Sequence, residues 1–217
     1  GPGTGTSFRG DQFWFVQGRQ EGGFDTVSYQ KHTSLGATID LSGETPNNGA
    51  ALGDAYISIE QFVGSEFPDR FTGDDAANIF SGMGGNDELN GNGGDDVLDG
   101  DSGDDFIEGG GGADTLTGGS NGAFGDTLVY EGSPGGVSIN LALATASASD
   151  AQGDMFSGFE NVFGSAHDDS LSGDDQANSI FGADGDDMLE GGAGGDTLDG
   201  GANGTLGDTA AYASGSD

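Results

Sequence analysis

The side chains best suited to chemistry in this sequence are aspartates that recur every nine residues in register with glycine. From Gly82 the chain reads GMGGNDELN, GNGGDDVLD, GDSGDDFIE and GGGGADTLT, with Gly at positions 1 and 4, Asp at 6 and an aliphatic residue at 8. The preceding nine residues keep this register with Asn78 at position 6. A second array, GSAHDDSLS, GDDQANSIF, GADGDDMLE and GGAGGDTLD, runs from Gly164 to Asp199. Aspartate also suits turns, but its strict register with glycine favours a role as a ligand.

The position-6 side chains are the candidate metal ligands. They are Asp69, Asn78, Asp87, Asp96, Asp105, Asp114 and Asp126 in the first array, and Asp169, Asn178, Asp187, Asp196 and Asp208 in the second. The aspartates at position 5, Asp95, Asp104 and Asp186, are expected to face solvent.

The spacing predicts how these ligands are positioned. Glycines at positions 1 and 4 are expected to adopt positive φ and to bring backbone carbonyls together in a turn. Positions 7 to 9 form a short strand with one inward side chain. Coils stacked about 4.8 Å apart place like carboxylates where they repel by about 1 kcal/mol even in water. A divalent ion between them reverses that sign, and oxygen ligands without nitrogen or sulfur indicate calcium.

Composition agrees with a role for metal ions and excludes several classes of function. The 217 residues carry 38 acidic and 4 basic side chains, for a net charge of -34, and Arg70 is the last basic residue. Such a chain does not attract nucleic acid or an anionic membrane surface. It has no cysteine and no apolar run of the ~18 residues that a membrane helix needs. His32 and His167 are isolated, so no catalytic zinc site and no enzymatic activity are predicted.

A longer duplication defines the coil. Residues 64–100 match residues 164–200 at an offset of 100, and the offset then falls to 82 because the first array holds two extra nonads. An insertion of two whole nonads indicates a structural period of 18 residues, with two nonads closing one coil. The fold class is therefore all-β, a parallel β-roll or β-helix solenoid with little or no helix. One apolar residue per nonad makes a thin core, so we expect the arrays to be unfolded without metal.

Five regions follow from these patterns. Residues 1–17 combine a Gly-Pro start, typical of a protease scar after tag removal, with an aromatic N-terminal cap or truncated repeat. The remaining regions are longer-stranded coils (18–63), the first repeat block (64–129), longer-stranded connecting coils (130–163) and the second, truncated block (164–217). The segments ATIDL and VSINL are expected to continue the solenoid as wider coils.

The nonapeptide resembles the calcium-binding repeat of RTX proteins, which leave Gram-negative bacteria by type I secretion. The longer element from GFDTVSY through ATIDL to IEQFVGS resembles the C-terminal RTX region of serralysin-type proteases and alginate epimerases. The resemblance implies two RTX blocks joined by longer-stranded coils, several bound Ca²⁺ ions and a location outside the cell or on its surface. It also implies a non-catalytic module that folds when it meets extracellular calcium.

The resemblance further implies a ligand set for each ion. Each ion would lie between turns n and n+2, bound by positions 2, 4 and 6 of one turn and 1, 3 and 6 of the other. Two predicted pairings take Ser65, Phe67 and Asp69 with Gly82, Gly84 and Asp87, and Ser165, His167 and Asp169 with Gly182, Asp184 and Asp187. The backbone oxygens in the predicted ligand set belong to Gly82, Met83, Gly84, Gly85, Gly91, Asn92, Gly93, Gly94, Gly100, Ser102, Gly103, Gly109, Gly111, Gly182, Asp184, Gly185, Gly191 and Ala193.

Two departures from the pattern predict altered sites. Asn78 and Asn178 replace Asp at position 6 and predict weaker binding. The units that start at Gly118 and Gly200 are three residues longer and displace Asp126 and Asp208 from the regular position.

Two other classes of function remain open at this stage. The chain could be an adhesin or surface-layer module, which should self-associate, or a polysaccharide-binding appendage of a secreted epimerase or protease. A basic or aromatic groove would favour the appendage, although residues 71–217 contain no basic side chain for an acidic polymer.

Overall fold

A computed structural model describes residues 16–17, 25–31, 34–56 and 59–211. The N-terminal cap predicted for residues 1–17 lies largely outside the described residues. Short strands dominate the described ranges, with one 3₁₀ turn at Ser149–Ala151. The strands are β1 (Val16–Gln17), β2 (Thr26–Ser28), β3 (Ala37–Asp40), β4 (Asn48–Gly49), β5 (Gln61–Val63), β6 (Arg70–Thr72), β7 (Ile79–Ser81), β8 (Glu88–Asn90), β9 (Val97–Asp99), β10 (Ser102–Gly103), β11 (Phe106–Glu108), β12 (Thr115–Thr117), β13 (Ser120–Asn121), β14 (Thr127–Val129), β15 (Ser138–Asn140), β16 (Thr145–Ser147), β17 (Met155–Ser157), β18 (Asn161–Phe163), β19 (Ser170–Ser172), β20 (Ser179–Phe181), β21 (Asp184–Gly185), β22 (Met188–Glu190), β23 (Thr197–Asp199), β24 (Ala202–Asn203) and β25 (Thr209–Ala211).

The repeat strands pair in parallel with an 18-residue register. In one sheet Phe62 pairs with Phe80, Phe80 with Leu98, and Leu98 with Leu116. This register confirms that two nonads close one coil, and it confirms the all-β parallel β-roll. No helix in the described part of the chain is long and apolar enough to cross a membrane.

Three large sheets build the roll, and the sheet pairing changes between the two blocks. The first sheet has the order β1-β2-β5-β7-β9-β12-β17. The long sheet, β23-β20-β18-β14-β11-β8-β6-β3-β4, continues through both blocks. The last sheet, β16-β15-β19-β22-β25, replaces the first sheet in the second block. Residues 130–163 therefore carry the chain from one sheet pair to the next.

The longer-stranded coils differ from the expectation that they simply widen the solenoid. Strand β3 lies within ATIDL and strand β15 within VSINL. Each forms an antiparallel hairpin with the strand that follows it, β4 or β16. These hairpins cover what would otherwise be an open strand edge beside the new parallel sheet. Their spacing does not follow the nonad, so the period could not predict them.

The core is a stripe of inward side chains, one from the middle of most repeat strands. Leu89, Leu98, Ile107 and Leu116 are each at most 1% exposed. At the start of the first block the stripe is aromatic, with Phe62, Phe71 and Phe80 in mutual edge-to-face contact. Outward residues alternate with this stripe and carry most of the polar groups.

Candidate metal-binding rows

The position-6 side chains form rows. Within a row, a carboxylate accepts a hydrogen bond from the backbone of the preceding coil. The Oδ1 atoms of Asp87, Asp105 and Asp126 accept the backbone N–H groups of Asp69, Asp87 and Asp105, at 2.8, 2.7 and 2.8 Å. In the opposite row Asp96 Oδ1 accepts the N–H of Asn78 at 2.7 Å. Each row therefore holds its carboxylates at a fixed place beside the turns.

In the repeating coils, which we define as residues 82–129 and 182–211, the second carboxylate oxygen of six row aspartates is left without a hydrogen-bond partner. The Oδ2 atoms concerned are buried and accept no hydrogen bond; they belong to Asp87, Asp96, Asp105, Asp114, Asp126 and Asp187. A buried carboxylate oxygen without a partner costs free energy unless a cation or a proton compensates it. These atoms are the strongest sign of a ligand in the molecule.

A glycine forms the floor beside each of these oxygens. A Cβ built on Gly82 would lie 2.1 Å from Asp87 Oδ2 and 2.9 Å from the carbonyl oxygen of Gly100. A Cβ on Gly91 would likewise lie 2.1 Å from Asp96 Oδ2 and 2.6 Å from the Gly109 oxygen. The position-1 glycine thus leaves room for a carboxylate oxygen and a carbonyl oxygen from the next coil to converge.

Burial shifts the ionisation of the same carboxyl groups. It raises the pKa of Asp87 to about 8 and those of Asp96 and Asp105 to about 7, from an ordinary value of 3.8. The N–H bonds to Oδ1 oppose this rise, and neighbouring carboxylates add to it. Burial also raises the pKa of Asp114, Asp126 and Asp187 to about 6. Without a cation, the rows hold their charge poorly near neutral pH.

The donor set fits calcium. The ligands available are carboxylate and carbonyl oxygens, and no lysine or arginine follows Arg70 to neutralise them. Hard oxygen donors in a turn built from backbone groups suit Ca²⁺. Within the described ranges no three Asp, Glu or His side chains converge as a side-chain metal site would require. A site here would therefore draw part of its ligands from the backbone.

The opening coils, residues 64–81 and 164–181, are built differently. The N–H groups of Ser65 and Ser165 each donate at 2.6 Å to Oδ2 of the position-6 aspartate in their own turn, Asp69 or Asp169. The N–H of Asp174 donates in the same way to Asn178 Oδ1, at 2.8 Å. In these opening turns a backbone N–H donates to the side-chain oxygen. The equivalent Oδ2 of Asp87 or Asp96 in the repeating coils accepts no hydrogen bond. The predicted pairings that use Asp69 and Asp169 therefore start from a carboxylate that is already hydrogen-bonded.

Backbone conformation separates the two kinds of turn and corrects one expectation. Positive φ occurs at position 4, as predicted, for example at Gly85 (118°) and Gly94 (106°). It also occurs at position 2, at Met83 (77°) and Asn92 (66°), whereas the glycines at position 1 of the arrays do not adopt it. The prediction of positive φ at position 1 was wrong, because glycine is needed there for the close approach of oxygens.

Several of the carbonyls predicted at positions 2 and 3 already accept a hydrogen bond from the neighbouring turn. Met83 O accepts the N–H of Ser102 at 3.1 Å, and Asn92 O accepts that of Gly111 at 2.7 Å. Ser102 O in turn accepts the N–H of Gly85 at 3.0 Å. A carbonyl has two lone pairs, so each of these oxygens keeps one for another partner. The predicted backbone ligand set stays a prediction.

The two longer units keep their aspartates in the rows. Asp126 and Asp208 accept the N–H groups of Asp105 and Asp187, at 2.8 and 3.1 Å, across 21 residues instead of 18. Position-5 aspartates make this possible: Asp104 accepts N–H groups from the longer turn at Ala123, Phe124 and Gly125, and Asp186 does so at Thr205, Leu206 and Gly207. The three extra residues lengthen the turn without moving Asp126 or Asp208 out of its row.

The expectation that Asp104 faces solvent was wrong, and Asp186 is only partly exposed. Asp104 is buried and Asp186 is half-buried, while Asp95 is exposed as predicted. Burial opposes ionisation of Asp104, yet the N–H groups of the longer turn lower its pKa overall. The signal was available, since an aspartate at position 5 lies one coil before the longer turn in both blocks.

Asp154 is a row member that the sequence reasoning missed. Its Oδ1 accepts the N–H of Asp114 at 2.9 Å, and its Oδ2 accepts the hydroxyl of Tyr130 at 2.9 Å. It follows Asp114 by 40 residues, because the connecting coils intervene. The signal was its spacing to the inward Phe156, which equals the spacing from Asp114 to the inward Leu116.

Comparison with known proteins agrees with this geometry. The family model for the RTX calcium-binding nonapeptide repeat matches four times, over residues 63–98, 72–107, 90–121 and 163–198. A search of curated proteins finds no match to the chain. The matched ranges contain both opening coils and residues 82–121 and 182–198 of the repeating coils. The matched residues are RTX calcium-binding nonapeptide repeats, and these repeats make this part of the chain a calcium-binding module.

Proposed function

We propose that the chain is a secreted module that stays unfolded at low calcium and folds when it binds Ca²⁺ in the turns of its repeating coils. The observation that carries this proposal is the set of six buried Oδ2 atoms that accept no hydrogen bond. No other buried group in the described residues calls for a cation so regularly. Calcium binding itself follows from the matched repeats. Its coupling to folding is the proposal.

The aspartates of the repeating coils would hold the ions together with nearby carbonyl oxygens. In the first row these are Oδ2 of Asp87 and Asp105, with the position-1 carbonyls of Gly100 and Gly118. Calcium supplies the positive charge that the chain lacks. The N–H bonds to Oδ1 orient each carboxylate before binding, so little side-chain freedom is lost when the ion arrives.

The free energy gained from the apolar core is small beside the cost of ordering the backbone, so the folded state depends on bound ions. Ordering the backbone costs roughly 1–2 kcal/mol per residue, and more for glycine. The core returns one buried apolar side chain for about nine residues, as at Leu89, Leu98 and Ile107. Burying unpaired carboxylates adds a further cost. Binding free energy would then supply much of the folding free energy.

Coupling of folding to calcium binding would serve secretion of the chain. Repeats of this family are typical of secreted bacterial proteins. Extracellular calcium modules bind at about 10⁻⁴–10⁻³ M, which is above the calcium concentration that cytosolic sensors respond to. The chain would remain an extended polyanion in the cytosol, pass a type I secretion channel in that form, and fold outside the cell.

Calorimetric calcium titration of adjacent aspartate variants tests the site. Asp96→Asn removes a buried carboxylate with an unpartnered Oδ2, whereas Asp95→Asn changes the exposed neighbour. We expect the first variant to weaken binding about tenfold or more, and the second to leave it within about twofold. Equal effects of the two variants, or none from Asp96→Asn, would overturn the assignment of these carboxylates as ligands.

A further inference from the structure

An aromatic trough lies on the outer face of the long sheet, and at one place it reaches Asp87 of the metal-binding rows. We define it by Phe106, Phe124, Val129, Phe163 and Phe181, which line a cavity of about 730 Å³. Phe106 is 53% exposed and Phe124 is 84% exposed. The rings of Phe163 and Phe181 lie 6.0 Å apart and nearly parallel. Outward strand positions in this chain are otherwise mostly polar, so this apolar surface calls for an explanation.

The trough belongs to the junction between the two blocks. It crosses β8, β11, β14, β18 and β20, which are consecutive strands of the long sheet. Four strand spacings of about 4.8 Å give it a length of about 19 Å. A trough of that length suits an extended segment better than a compact small molecule.

Carboxylates form the rim. Glu88, Glu108 and Glu131 line the same cavity, and so does Asp104. Glu108 accepts hydrogen bonds from the Gly132 N–H and the Asn90 amide, both at 2.7 Å. Burial raises its pKa, opposed by the Gly132 bond and reinforced by Glu131, Asp150 and Glu88. The rim therefore gathers carboxyl groups that a nearby cation would stabilise in their charged form.

One rim carboxylate already binds a cation from this chain. Arg70 donates to Glu88 at 2.6 Å on the exposed outer face of the sheet. A guanidinium or ammonium group held between carboxylates and aromatic rings gains both ion pairing and cation–π attraction. The long aliphatic stem of such a side chain can lie on the rings while its charged end reaches the rim.

Charge decides which occupant fits. A second copy of the chain would bring another formal net charge of -34, reduced only in part by bound calcium. An acidic polysaccharide would be repelled in the same way. The complementary occupant must carry positive charge at the rim and apolar surface on the floor.

We propose that the aromatic trough binds an extended basic, amphipathic polypeptide segment, with apolar side chains on the phenylalanines and lysine or arginine side chains on Glu88, Glu108 and Glu131. Its occupant is a segment of another protein, because this chain carries no lysine or arginine after Arg70. Exposed backbone edges are not involved, so recognition rests on side chains across the sheet face.

Matched positions in the second block provide the control. Phe106 and Met188 both occupy position 7 of a repeating nonad and are 53% and 50% exposed. Phe124 and Leu206 occupy the same place in the two longer turns and are 84% and 90% exposed. The double variants Phe106→Ala/Phe124→Ala and Met188→Ala/Leu206→Ala therefore remove similar exposed surface at different places.

The test measures binding of blocked octapeptides by fluorescence anisotropy to the chain in saturating calcium, with folding verified by circular dichroism. An alternating lysine–leucine peptide should bind, and added salt should weaken it. The Phe106→Ala/Phe124→Ala variant should lose affinity about tenfold or more, and the Met188→Ala/Leu206→Ala variant should keep it within about twofold. A lysine–serine peptide should bind more weakly, and a glutamate–leucine peptide should not bind.

Other results would overturn the proposal. Equal binding of the lysine–serine and lysine–leucine peptides would reduce the trough to a non-specific acidic surface. Binding of a chitosan hexamer, but not of the peptides, that is lost in the Phe106→Ala/Phe124→Ala variant would assign the trough to an amino sugar. A calcium-loaded dimer in light scattering that the same variant dissociates would assign it to a second copy. Equal peptide affinity of the two double variants would place binding elsewhere.

Discussion

The opening coils and the repeating coils share one nonad pattern yet satisfy their carboxylates in opposite ways. In an opening turn the position-2 N–H donates to the position-6 side chain, as Ser65 does to Asp69. In a repeating turn position 2 adopts positive φ, as at Met83 (77°), and Asp87 Oδ2 has no hydrogen-bond partner. The same residue type at the same position is therefore a structural hydrogen-bond acceptor in one coil and a candidate ion ligand in the next.

This difference indicates a division of labour along the solenoid. The opening coil of the first block closes itself with local hydrogen bonds and the aromatic cluster of Phe62, Phe71 and Phe80. The repeating coils gain little from either source. We infer that the opening coils form a base on which the repeating coils are added as ions bind.

The largest expected effect comes from position 4, where the two turns differ most. Gly94 has φ of 106°, and a Cβ there would lie 2.6 Å from the backbone of Ala76, whereas the opening coil carries alanine itself at that position. Gly94→Ala should therefore destabilise the calcium-loaded chain by about 3 kcal/mol or more. The measurement is the denaturation midpoint in saturating calcium.

Gly195→Ala is the matched control for that variant. A Cβ on Gly195 meets nothing within 4 Å, and its φ is not positive. Its midpoint should stay within about 0.5 kcal/mol of the parent chain. Similar losses in both variants would mean that the turn geometry does not set the stability of the repeating coils.

Replacing one aspartate in each kind of coil should separate the ligand from the structural acceptor. Asp105→Asn removes a charge whose Oδ2 has no hydrogen-bond partner, so it should weaken calcium binding about tenfold while leaving the calcium-free chain no less stable. Asp69→Asn disturbs the bond from Ser65 and should cost about 1–3 kcal/mol. Stability measured at several calcium concentrations distinguishes them. A loss for Asp69→Asn that grows with calcium as steeply as that of Asp105→Asn would break the comparison.

Protonation of the row aspartates at low pH should partly replace calcium in stabilising the folded chain. The pKa of Asp87 is raised to about 8 and those of Asp96 and Asp105 to about 7 in the folded chain, above their ordinary 3.8, chiefly by burial. The folded state thus binds more protons than the unfolded state between these values, and its stability falls as pH rises through them. In calcium-free buffer the chain should be more structured near pH 5 than near pH 8. Greater structure at the higher pH would contradict the burial of these groups.

Restoring aspartate in an opening coil should not create an ion site. Asn178 accepts the Asp174 N–H at 2.8 Å and donates its amide to the Glu160 carbonyl at 2.8 Å. Asn178→Asp loses that donor and sets a carboxylate against a carbonyl, at a cost of about 1–3 kcal/mol. Calorimetry should show unchanged calcium stoichiometry. An additional bound ion would show that the opening coil is a repeating coil weakened by asparagine.

The features that could be predicted from the sequence are those set by the nine-residue repeat. The nonad predicts the 18-residue coil, the inward stripe that includes Leu98 and Ile107, and the rows that include Asp96 and Asp105. These features repeat, so each copy supports the interpretation of the others.

Features that depend on the neighbouring coil could not be predicted from one nonad. The role of Gly82 is set by Asp87 and by the carbonyl of Gly100 in the next coil. The place of Asp154 in its row depends on connecting coils that follow no period. The change from the first sheet to the last sheet likewise arises from pairing between distant segments.

Far-UV circular dichroism of the chain in calcium-free buffer at neutral pH, followed by stepwise addition of calcium, tests the central claim most directly. The account predicts little strand signal at the start and a cooperative gain on adding calcium, with a Hill coefficient above one. An equal concentration of magnesium should not produce it, because Mg²⁺ demands a stricter geometry and gives up its water reluctantly. A full strand signal before calcium is added, or the same gain with magnesium, would contradict calcium-dependent folding.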